Sequence, residues 1–316
     1  MLEISLEGYF FSLKEIEMNF KFSVIVPTYN RAATIERALN SLINQTHQNF
    51  EVIVVDDGSV DTTVSLVESY LLDERFKLIK LPENCGVNKA RNTGLDFIAA
   101  DSDWVTFLDS DDEFTLDALQ KMSLVIKVNP LIKDFCFSVI DNQGIACSQV
   151  GRVDRLLDYN GIIDGSRRPK GEFVHTISSD LIRNRIFRYE ERVRNGFEII
   201  AYFRLARKHS VLYSCSIVRR YFLDGEGLTR TKTKKPEKLL DEITGFEILM
   251  NEFGEDLRLF SRKEYSLFQS VIGFTHLQLN NLRLALQHTK LSFLNNYFEL
   301  RVYRNLLLLM SRFFRN

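Results

Sequence analysis

Apolar runs alternate with helix-like segments from residue 22 onward, and this alternation limits the possible folds more than any other feature. The runs FSVIV (22–26), FEVIVV (50–55), FKLIKL (76–81) and WVTFL (104–108) predict strands, the first stopped by Pro27. The segments between them, TIERALNSLI, VSLVESYLL and GVNKARNTGLDFIA, predict helices with one buried stripe. Apolar strands that alternate with helices are typical of a parallel sheet covered on both faces. We therefore expect an α/β fold with a Rossmann-like, mostly parallel sheet flanked by helices.

The overall composition excludes several classes of protein. The 316 residues are 45% hydrophobic, and 41 Lys and Arg nearly balance 42 Asp and Glu, so the totals give no sign of a nucleic-acid-binding protein. The four cysteines lack paired short spacing and the five histidines are scattered, which favours a reducing cytoplasm and argues against a histidine zinc site. Since no apolar run reaches about 18 residues, we expect no membrane span.

Polar side chains follow each of the four predicted strands. The strand ends carry PTYN (27–30), DDGS (56–59), PEN (82–84) and DSDD (109–112). In sheets of this type, ligands bind outside the carboxyl ends of the strands. We therefore expect these side chains to converge on one cleft.

The sequence lacks the glycine-rich loops that usually bind phosphates. It contains neither GxGxxG after the first strand nor GxxxxGK[ST] anywhere. A diphosphate in the cleft would therefore need a divalent cation to neutralise its charge. Asp109 and Asp111 supply hard oxygen ligands two residues apart, which predicts Mg²⁺ or Mn²⁺ bridging protein and phosphate.

Four segments, FSVIVPTYN, FEVIVVDDGSVDTT, NCGVNKARNTGL and WVTFLDSDD, resemble in order and separation the nucleotide-binding half of the family 2 glycosyltransferases. The resemblance is specific over residues 22–120, weaker to about 230 and absent beyond. It implies the GT-A fold and a nucleotide-sugar donor, with UDP as the expected nucleotide. It further implies that Pro27 and Tyr29 line the base pocket. Asp57 would accept a hydrogen bond from the uracil or ribose, Asp109 would lie near the ribose and diphosphate, and Asp111 would bind the metal.

Other polar residues of the same segments are additional candidates for the donor site. Arg91 is placed to approach phosphate or to brace the loop, and Asn84 and Lys89 complete the predicted donor-binding set. Structural explanations stay open for two neighbours. Asp56 also fits an Asx turn with Gly58, and the segment from Asp112 to Thr115 also fits the cap of a helix formed by LDALQKM.

A transferase needs a base that takes the proton from the acceptor hydroxyl. In the resembling family a Glu-Asp pair near the start of a helix provides it, whereas here Gly196 is followed by Phe197 and Glu198. This departure leaves Glu198 as the predicted base; a structural role at the start of the helix EIIAYFRLARK is the alternative. Glu190, Glu191 and Asp224 are further candidates.

The second half of the chain divides into two predicted regions. Residues 121–236 would bind the acceptor and include a Gly-rich, basic segment (218–238) that suits either a mobile lid over the diphosphate or a solvated linker. The family's lid arginine and histidine are represented by Arg219 and Arg220 alone. Residues 237–316 predict a helical extension. Residues 1–21 form a leader of uncertain role, with Met18 as the predicted natural start.

The last predicted helix (297–314) is basic and amphipathic. Four arginines fall on one side and five apolar residues on the other: Arg301, Arg304, Arg312 and Arg315 against Val302, Leu306, Leu309, Met310 and Phe313. Peripheral contact with the inner face of the cell membrane and packing against the preceding helices both fit this pattern.

Two functions fit the sequence, and a third fits it poorly. We expect an inverting, metal-dependent glycosyltransferase that moves a sugar to a glycan or lipid-linked acceptor in surface polysaccharide biosynthesis. The alternative is a non-catalytic nucleotide-sugar-binding or scaffold protein that has lost its base, as the departure at Phe197 suggests. A phosphohydrolase with an hhhhDxDx[TV] motif fits poorly, because its aspartates follow the first strand and Thr or Val then follows them.

Overall fold

The first four strands form a parallel sheet, as the alternation predicts. The computed structural model describes residues 19–222 and 236–313. The strands are β1 (Phe22–Thr28), β2 (Phe50–Asp56), β3 (Phe76–Lys80) and β4 (Trp104–Phe107), arranged in the order β3-β2-β1-β4 with all three pairings parallel. Every residue of β1, β2 and β4 is buried, so the prediction of strands inaccessible to solvent is confirmed.

The predicted helices lie between these strands. They are α1 (Ile35–Ile43), α2 (Thr63–Glu68) continued by a 3₁₀ turn (Ser69–Leu72), and α3 (Val87–Asp96). Both faces of the sheet are covered, because Val24 and Val26 of β1 belong to one hydrophobic core while Ile25 belongs to another. A Cβ atom at Gly94 of α3 would lie 2.6 Å from Ile25 Cγ2, so glycine lets this helix approach β1 closely.

The prediction that Pro27 stops the first strand is wrong. β1 continues to Thr28, and Pro27 pairs with Val55 of β2. The pairing of β1 with β4 ends at Ile25, whose carbonyl accepts from Leu108. The backbone polar groups of Pro27 point to the same side of β1 as those of Ile25, towards β4. Since the pairing with β4 ends at Ile25, the missing N–H of Pro27 removes no hydrogen bond of the sheet.

Five more strands extend the sheet beyond β4 and make it mixed. They are β5 (Glu113–Phe114), β6 (Asp134–Asp141), β7 (Arg155–Leu157), β8 (Phe173–Ser178) and β9 (Val211–Tyr221). The full order in the described residues is β3-β2-β1-β4-β8-β6-β9-β5, with β7 beside β9. β8 runs antiparallel to both β4 and β6, whereas β6 and β9 are parallel. The two predicted halves of the chain therefore share one continuous sheet.

Eight further helices complete the described part of the chain. Four lie within the sheet region: α4 (Ala118–Val128), α5 (Tyr159–Ile163), α6 (Ser179–Arg183) and α7 (Glu198–Ala206). The predicted helical extension is α8 (Pro236–Phe260), α9 (Arg262–Gln278), α10 (Leu282–Asn295) and α11 (Leu300–Phe313). α8 packs on α7 through the edge-to-face contact of Phe253 with Phe203. Among the helices of the described residues, none has the length and apolar character needed to cross a bilayer.

Candidate active site

Asp57 links three of the predicted strand ends. Its carboxylate accepts the backbone N–H groups of Cys85 (2.7 Å) and Gly86 (2.8 Å), and its own N–H donates to the Thr28 carbonyl (2.8 Å). Burial raises the pKa of Asp57, and the two backbone hydrogen bonds partly oppose this. A carboxylate has about four acceptor positions, so room for a ligand N–H remains. The predicted contact of Asp57 with the base therefore stays a prediction, beside a structural role that the sequence did not show.

Gly86 is the point where this loop comes very close to the backbone of another segment. Its φ is +97°, and a Cβ atom there would lie 2.4 Å from the Arg194 carbonyl oxygen. Glycine at this position thus lets the segment after β3 lie directly against the segment that precedes α7.

Gly86→Ala is expected to lower the free energy of unfolding by about 3 kcal/mol, through backbone strain plus the forced separation from Arg194. Gly144→Ala is the matched control, because Gly144 has a φ of +84° but nothing within 4 Å of its Cβ position. Urea denaturation of both variants separates strain from contact. Equal losses in the two would show that the approach to Arg194 contributes nothing.

Pro27 and Tyr29 lie at the carboxyl end of β1. Pro27 is buried in the strand, whereas Tyr29 is 39% exposed and begins the loop to α1. Asn30 follows with a φ of 49°, and its side chain accepts the Val60 N–H (2.9 Å), which ties this loop to the loop after β2. An exposed ring at a fixed loop is available for stacking with a base, and the base-pocket assignment stays a prediction.

Asp56 forms the Asx turn with Gly58 that the sequence analysis gave as the alternative to a role in the donor site. Its Oδ2 accepts the Ser59 N–H (3.0 Å), and Gly58 has a φ of +75°. Asp56 therefore shapes the loop after β2.

Arg91 and Arg219 hold Asp109 between them. Arg91 Nη2 of α3 lies 3.2 Å from Asp109 Oδ1, and Arg219 Nη1 of β9 lies 3.2 Å from Oδ2. Burial acts to raise the pKa of Asp109, but the two guanidinium groups outweigh it and lower the pKa below its ordinary value. Asp109 is thus ionised and fixed at the end of β4.

The same Arg91 also reaches Glu198. Arg91 Nη1 donates to Glu198 Oε1 (2.8 Å), so one guanidinium bridges the predicted base and the predicted donor-side aspartate. The Arg91 side chain is only 11% exposed, and attraction to Tyr189, Asp109 and Glu198 raises its pKa despite the opposing effect of burial. Arg91 thus contacts two carboxylates that lie 107 and 18 positions from it in the sequence.

Asp111 lies beside this network with fewer partners. Its carboxylate forms an ion pair with Arg31 at 3.6 Å. Burial and the neighbouring Asp109 charge raise the pKa of Asp111. Two carboxylates that repel each other and offer hard oxygen atoms fit Mg²⁺ or Mn²⁺, because a divalent cation would relieve that repulsion. The donor set therefore fits the predicted ion, and the metal role of Asp109 and Asp111 stays a prediction.

Asp112 and Glu113 do not open the next helix, so that interpretation is wrong. α4 begins at Ala118 with Asp117 as its N-cap residue. Asp112 is buried, accepts the Phe222 N–H (3.0 Å) and lies 3.4 Å from Arg219 Nε. Glu113 belongs to β5, which pairs with β9, and bonds Arg220 (2.7 Å). Because β5 pairs with β9, residues 113–114 form a strand and not the first turn of a helix. The same pairing places Arg219 and Arg220 of β9 next to the acidic segment DSDD (109–112).

The start of the segment predicted as a lid or linker is a strand. Both Arg219 and Arg220 belong to β9, and Arg219 is buried in contact with Asp109 and Asp112. Residues 223–235, including Asp224, lie outside the described residues. The contact between Arg219 and Asp109 was not predicted, since the two residues are separated by 110 positions.

Asn84 and Lys89 both contact the segment before α7. Arg194 donates to Asn84 Oδ1 (2.8 Å), and Lys89 pairs with Glu191 (3.0 Å). The structure gives each a protein partner, and their donor-binding roles stay predictions.

Two buried asparagines of α3 hold that segment in place, which the sequence analysis missed. Asn88 donates to the carbonyls of Val193 (2.8 Å) and Gly196 (2.9 Å), and Asn92 exchanges two hydrogen bonds with the Tyr189 backbone. Asparagine is a poor helix former, so a pair of them four residues apart in NKARN was the available signal. α3 therefore positions the chain that leads to Glu198.

Glu198 is the first residue of α7 and is preceded by an unusual turn. Gly196 and Phe197 have φ values of 79° and 57°. The Phe197 ring packs against Gly245 of α8, where a Cβ atom would lie 2.5 Å from the ring, and meets Phe246 edge to face. Phe197 thus occupies a structural position between Glu198 and the C-terminal helices.

The other candidate bases have structural partners. Glu190 is bound by Arg192 (2.8 Å) and Arg204 (2.8 Å), hydrogen bonds that lower its pKa to about 2. A carboxylate with so low a pKa is a weak base. Glu191 bonds Lys89 and Asn92. Of the described candidates, Glu198 alone contacts the Asp109 network.

A separate polar group occupies β6 and β8. Asp134, Cys136 and His175 are the one set among the described residues whose three potential ligand atoms lie within 4.8 Å of one another. Burial, with help from the Asp134 charge, raises the pKa of the Cys136 thiol well above its ordinary value. Mg²⁺ and Mn²⁺ prefer oxygen ligands, and a thiol binds metals as the thiolate. This group therefore does not fit the predicted ion.

Comparison with known proteins gives sequence relatives for the first part of the chain. Residues 23–145 match the family model described as Glycosyl transferase family 2. The GalNAc(5)-diNAcBac-PP-undecaprenol beta-1,3-glucosyltransferase of Campylobacter jejuni is 32% identical over 186 residues, which cover 54% of this chain and 55% of that protein. The putative teichuronic acid biosynthesis glycosyltransferase TuaG of Bacillus subtilis is 42% identical over 100 residues, covering 31% of this chain and 39% of TuaG.

The fold has a close counterpart among solved structures. The crystal structure of S. aureus TarS 1-349 in complex with UDP-GlcNAc superposes with a TM-score of 0.60 at 22% identity, covering 90% of this chain and 89% of that one. This likeness confirms the expected GT-A fold. The curated relatives, in contrast, are matched only in part: the chain spans 55% and 39% of the two described above.

Proposed function

We propose that the protein is an inverting glycosyltransferase, in keeping with the match of residues 23–145 to the family model described as Glycosyl transferase family 2. It would move a sugar from a nucleotide-sugar, with UDP as the expected nucleotide, to a hydroxyl of a glycan or lipid-linked acceptor. The single observation that carries the proposal is the bridge through Arg91, which joins Asp109 at the end of β4 to Glu198 at the start of α7.

This bridge supports the proposal, because it joins the predicted donor-side aspartate to the predicted base. Asp109 and Asp111 lie at the carboxyl end of β4, where ligands of such sheets bind. Glu198 reaches the same guanidinium from the second half of the chain, which we propose binds the acceptor. It would take the proton of the acceptor hydroxyl as the oxygen attacks the sugar from the face opposite the departing diphosphate. Such a displacement inverts the configuration at the sugar carbon.

Asp109 and Asp111 would hold the divalent cation. When bound, Mg²⁺ or Mn²⁺ would neutralise charge on the leaving diphosphate. Arg91 keeps Asp109 and Glu198 in fixed positions, which limits the reorganisation needed during the reaction.

The relatives support a role in surface glycan synthesis. The Campylobacter relative is named for an undecaprenol-linked substrate and the Bacillus relative for teichuronic acid biosynthesis. From these names we infer the same general role, surface glycan synthesis, for this chain. The donor-binding region would be residues 22–120, the acceptor-binding region 121–236 and the helical region 237–316.

Asp111→Asn is expected to weaken Mn²⁺-dependent UDP binding about tenfold or more while leaving metal-free binding unchanged, because it removes one anionic ligand. Calorimetric titration of UDP with and without Mn²⁺ measures the Mn²⁺-dependent and the metal-free affinity for UDP. Glu113→Gln is the matched control, since it makes the same change two residues along, at a side chain paired with Arg220. Undiminished Mn²⁺-dependent binding in Asp111→Asn would remove Asp111 from the metal site.

A further inference from the structure

Helix α11 has two apolar faces, and the rest of the described chain packs against one of them. Val302, Asn305 and Leu309 are buried, and the Asn305 amide donates to the Ser270 carbonyl of α9 (2.7 Å). The opposite face carries Leu300, Tyr303, Leu307 and Met310, spaced at i, i+3, i+7 and i+10, and all four are exposed. Packing against the preceding helices therefore explains the inner face, and within residues 19–222 and 236–313 the outer face has no partner. Met310, which the sequence analysis grouped with the inner side, belongs to the outer face.

The outer face continues onto the end of α10. Phe293 meets Tyr303 edge to face, and the Tyr303 hydroxyl donates to the Tyr297 carbonyl (2.7 Å). We call this surface the C-terminal ridge: Phe293, Tyr297, Leu300, Tyr303, Leu307 and Met310. The exposed fractions of these side chains run from 42% to 80%. Contiguous exposed apolar surface of this kind marks an interaction site, and tyrosine with leucine is typical of surfaces at a membrane interface.

The charge around the ridge identifies its partner. Residues 281–316 contain six of the 41 Lys and Arg residues but only one of the 42 Asp and Glu residues. Arg301 is exposed beside the ridge, and the Arg304 guanidinium lies 4.0 Å from the centre of the Phe274 ring, at the junction of α11 with α9. Two copies of so basic a segment would repel each other. An anionic lipid surface attracts it.

We propose that the C-terminal ridge binds the surface of an anionic lipid bilayer, with α11 lying in the plane of the interface. The apolar side chains of the ridge enter the boundary between head groups and acyl chains, while Arg301 and Arg304 contact lipid phosphates. This arrangement needs no spanning helix. It is independent of the transferase chemistry, because no residue of the Asp109 network belongs to the ridge.

Vesicle sedimentation of the full-length protein tests the proposal. The protein is expected to bind vesicles of phosphatidylcholine with 30% phosphatidylglycerol, and to bind pure phosphatidylcholine at least tenfold more weakly. Arg301→Gln with Arg304→Gln should lower the partition coefficient about thirtyfold, because each charge near an anionic surface contributes about fivefold. Leu307→Gln with Met310→Gln should lower it about tenfold or more.

Leu72→Gln with Leu131→Gln is the matched control, since these leucines are 94% and 90% exposed outside the C-terminal helices. This double variant should bind vesicles as the unchanged protein does. Circular dichroism confirms that each variant is folded, and UDP binding should be the same in all of them. Failure of the unchanged protein to bind, or equal losses in the ridge and control variants, would overturn the proposal. So would a dimer in light scattering that the ridge variants dissociate without any vesicle binding.

Discussion

Glu198→Gln is expected to lower the rate of sugar transfer about a thousandfold while leaving UDP and Mn²⁺ binding unchanged. The amide keeps the size of the side chain and its contact with Arg91, but it cannot accept the proton of the acceptor hydroxyl. The fall should appear in kcat, because the base acts on the chemical step. Single-turnover transfer from a UDP-sugar to an acceptor, together with calorimetric UDP titration, measures the two quantities separately.

Glu191→Gln serves as the control for this experiment. Glu191 lies in the same segment, is half exposed and pairs with Lys89, so its variant should transfer sugar at close to the normal rate. Normal transfer by Glu198→Gln would exclude Glu198 as the base. An unchanged protein that binds UDP but transfers no sugar from any nucleotide-sugar tested would instead support the non-catalytic alternative.

Arg91→Met is expected to reduce both stability and activity. It leaves Glu198 without its ion-pair partner and Asp109 with Arg219 alone. Because both carboxylates keep part of their hydration, we expect the free energy of unfolding to fall by about 2 kcal/mol. We expect kcat/KM to fall about a thousandfold, because the two carboxylates are no longer held in one geometry. Urea denaturation and steady-state transfer measure the two effects.

Arg192→Met is the matched control, since Arg192 forms one ion pair with Glu190 and its side chain is 64% exposed. Its free energy of unfolding should fall much less than that of Arg91→Met, because an exposed ion pair contributes little to stability, and its activity should be retained. If Arg91→Met proved as stable and as active as Arg192→Met, the bridge would have neither a structural nor a catalytic role.

The sequence predicted the first four strands, the helices between them and the C-terminal helices because each of these elements has a local sequence pattern. An apolar run or a helical stripe extends over five to ten neighbouring residues, so the first four strands and the C-terminal helices could be located from periodicity alone. The convergence of polar strand ends followed from the rule for parallel sheets. The length of β1 was missed because Pro27 lies on the side of the strand where pairing with β4 has ended.

The connections within the site could not be predicted in the same way. The bonds from Arg91 to Glu198 and from Arg219 to Asp109 join residues more than a hundred positions apart, and charge alone does not show which arginine meets which carboxylate. The short strand β5 was invisible for a different reason: two residues carry no periodicity, and only pairing with β9 defines them. The burial of Asp112 follows from that pairing.

The contact of Phe197 with Gly245 determines how the chain can be divided. Phe197 directly precedes Glu198, and its ring packs against Gly245 of α8. The sequence analysis assigned α8 to a C-terminal extension. A protein shortened at residue 236 would lack this contact. The turn at Gly196 and Phe197, which orients Glu198, would then lose its packing against α8. The C-terminal helices therefore cannot be removed without affecting the segment that carries Glu198: the region with the C-terminal ridge also packs against the residue that begins the first turn of α7.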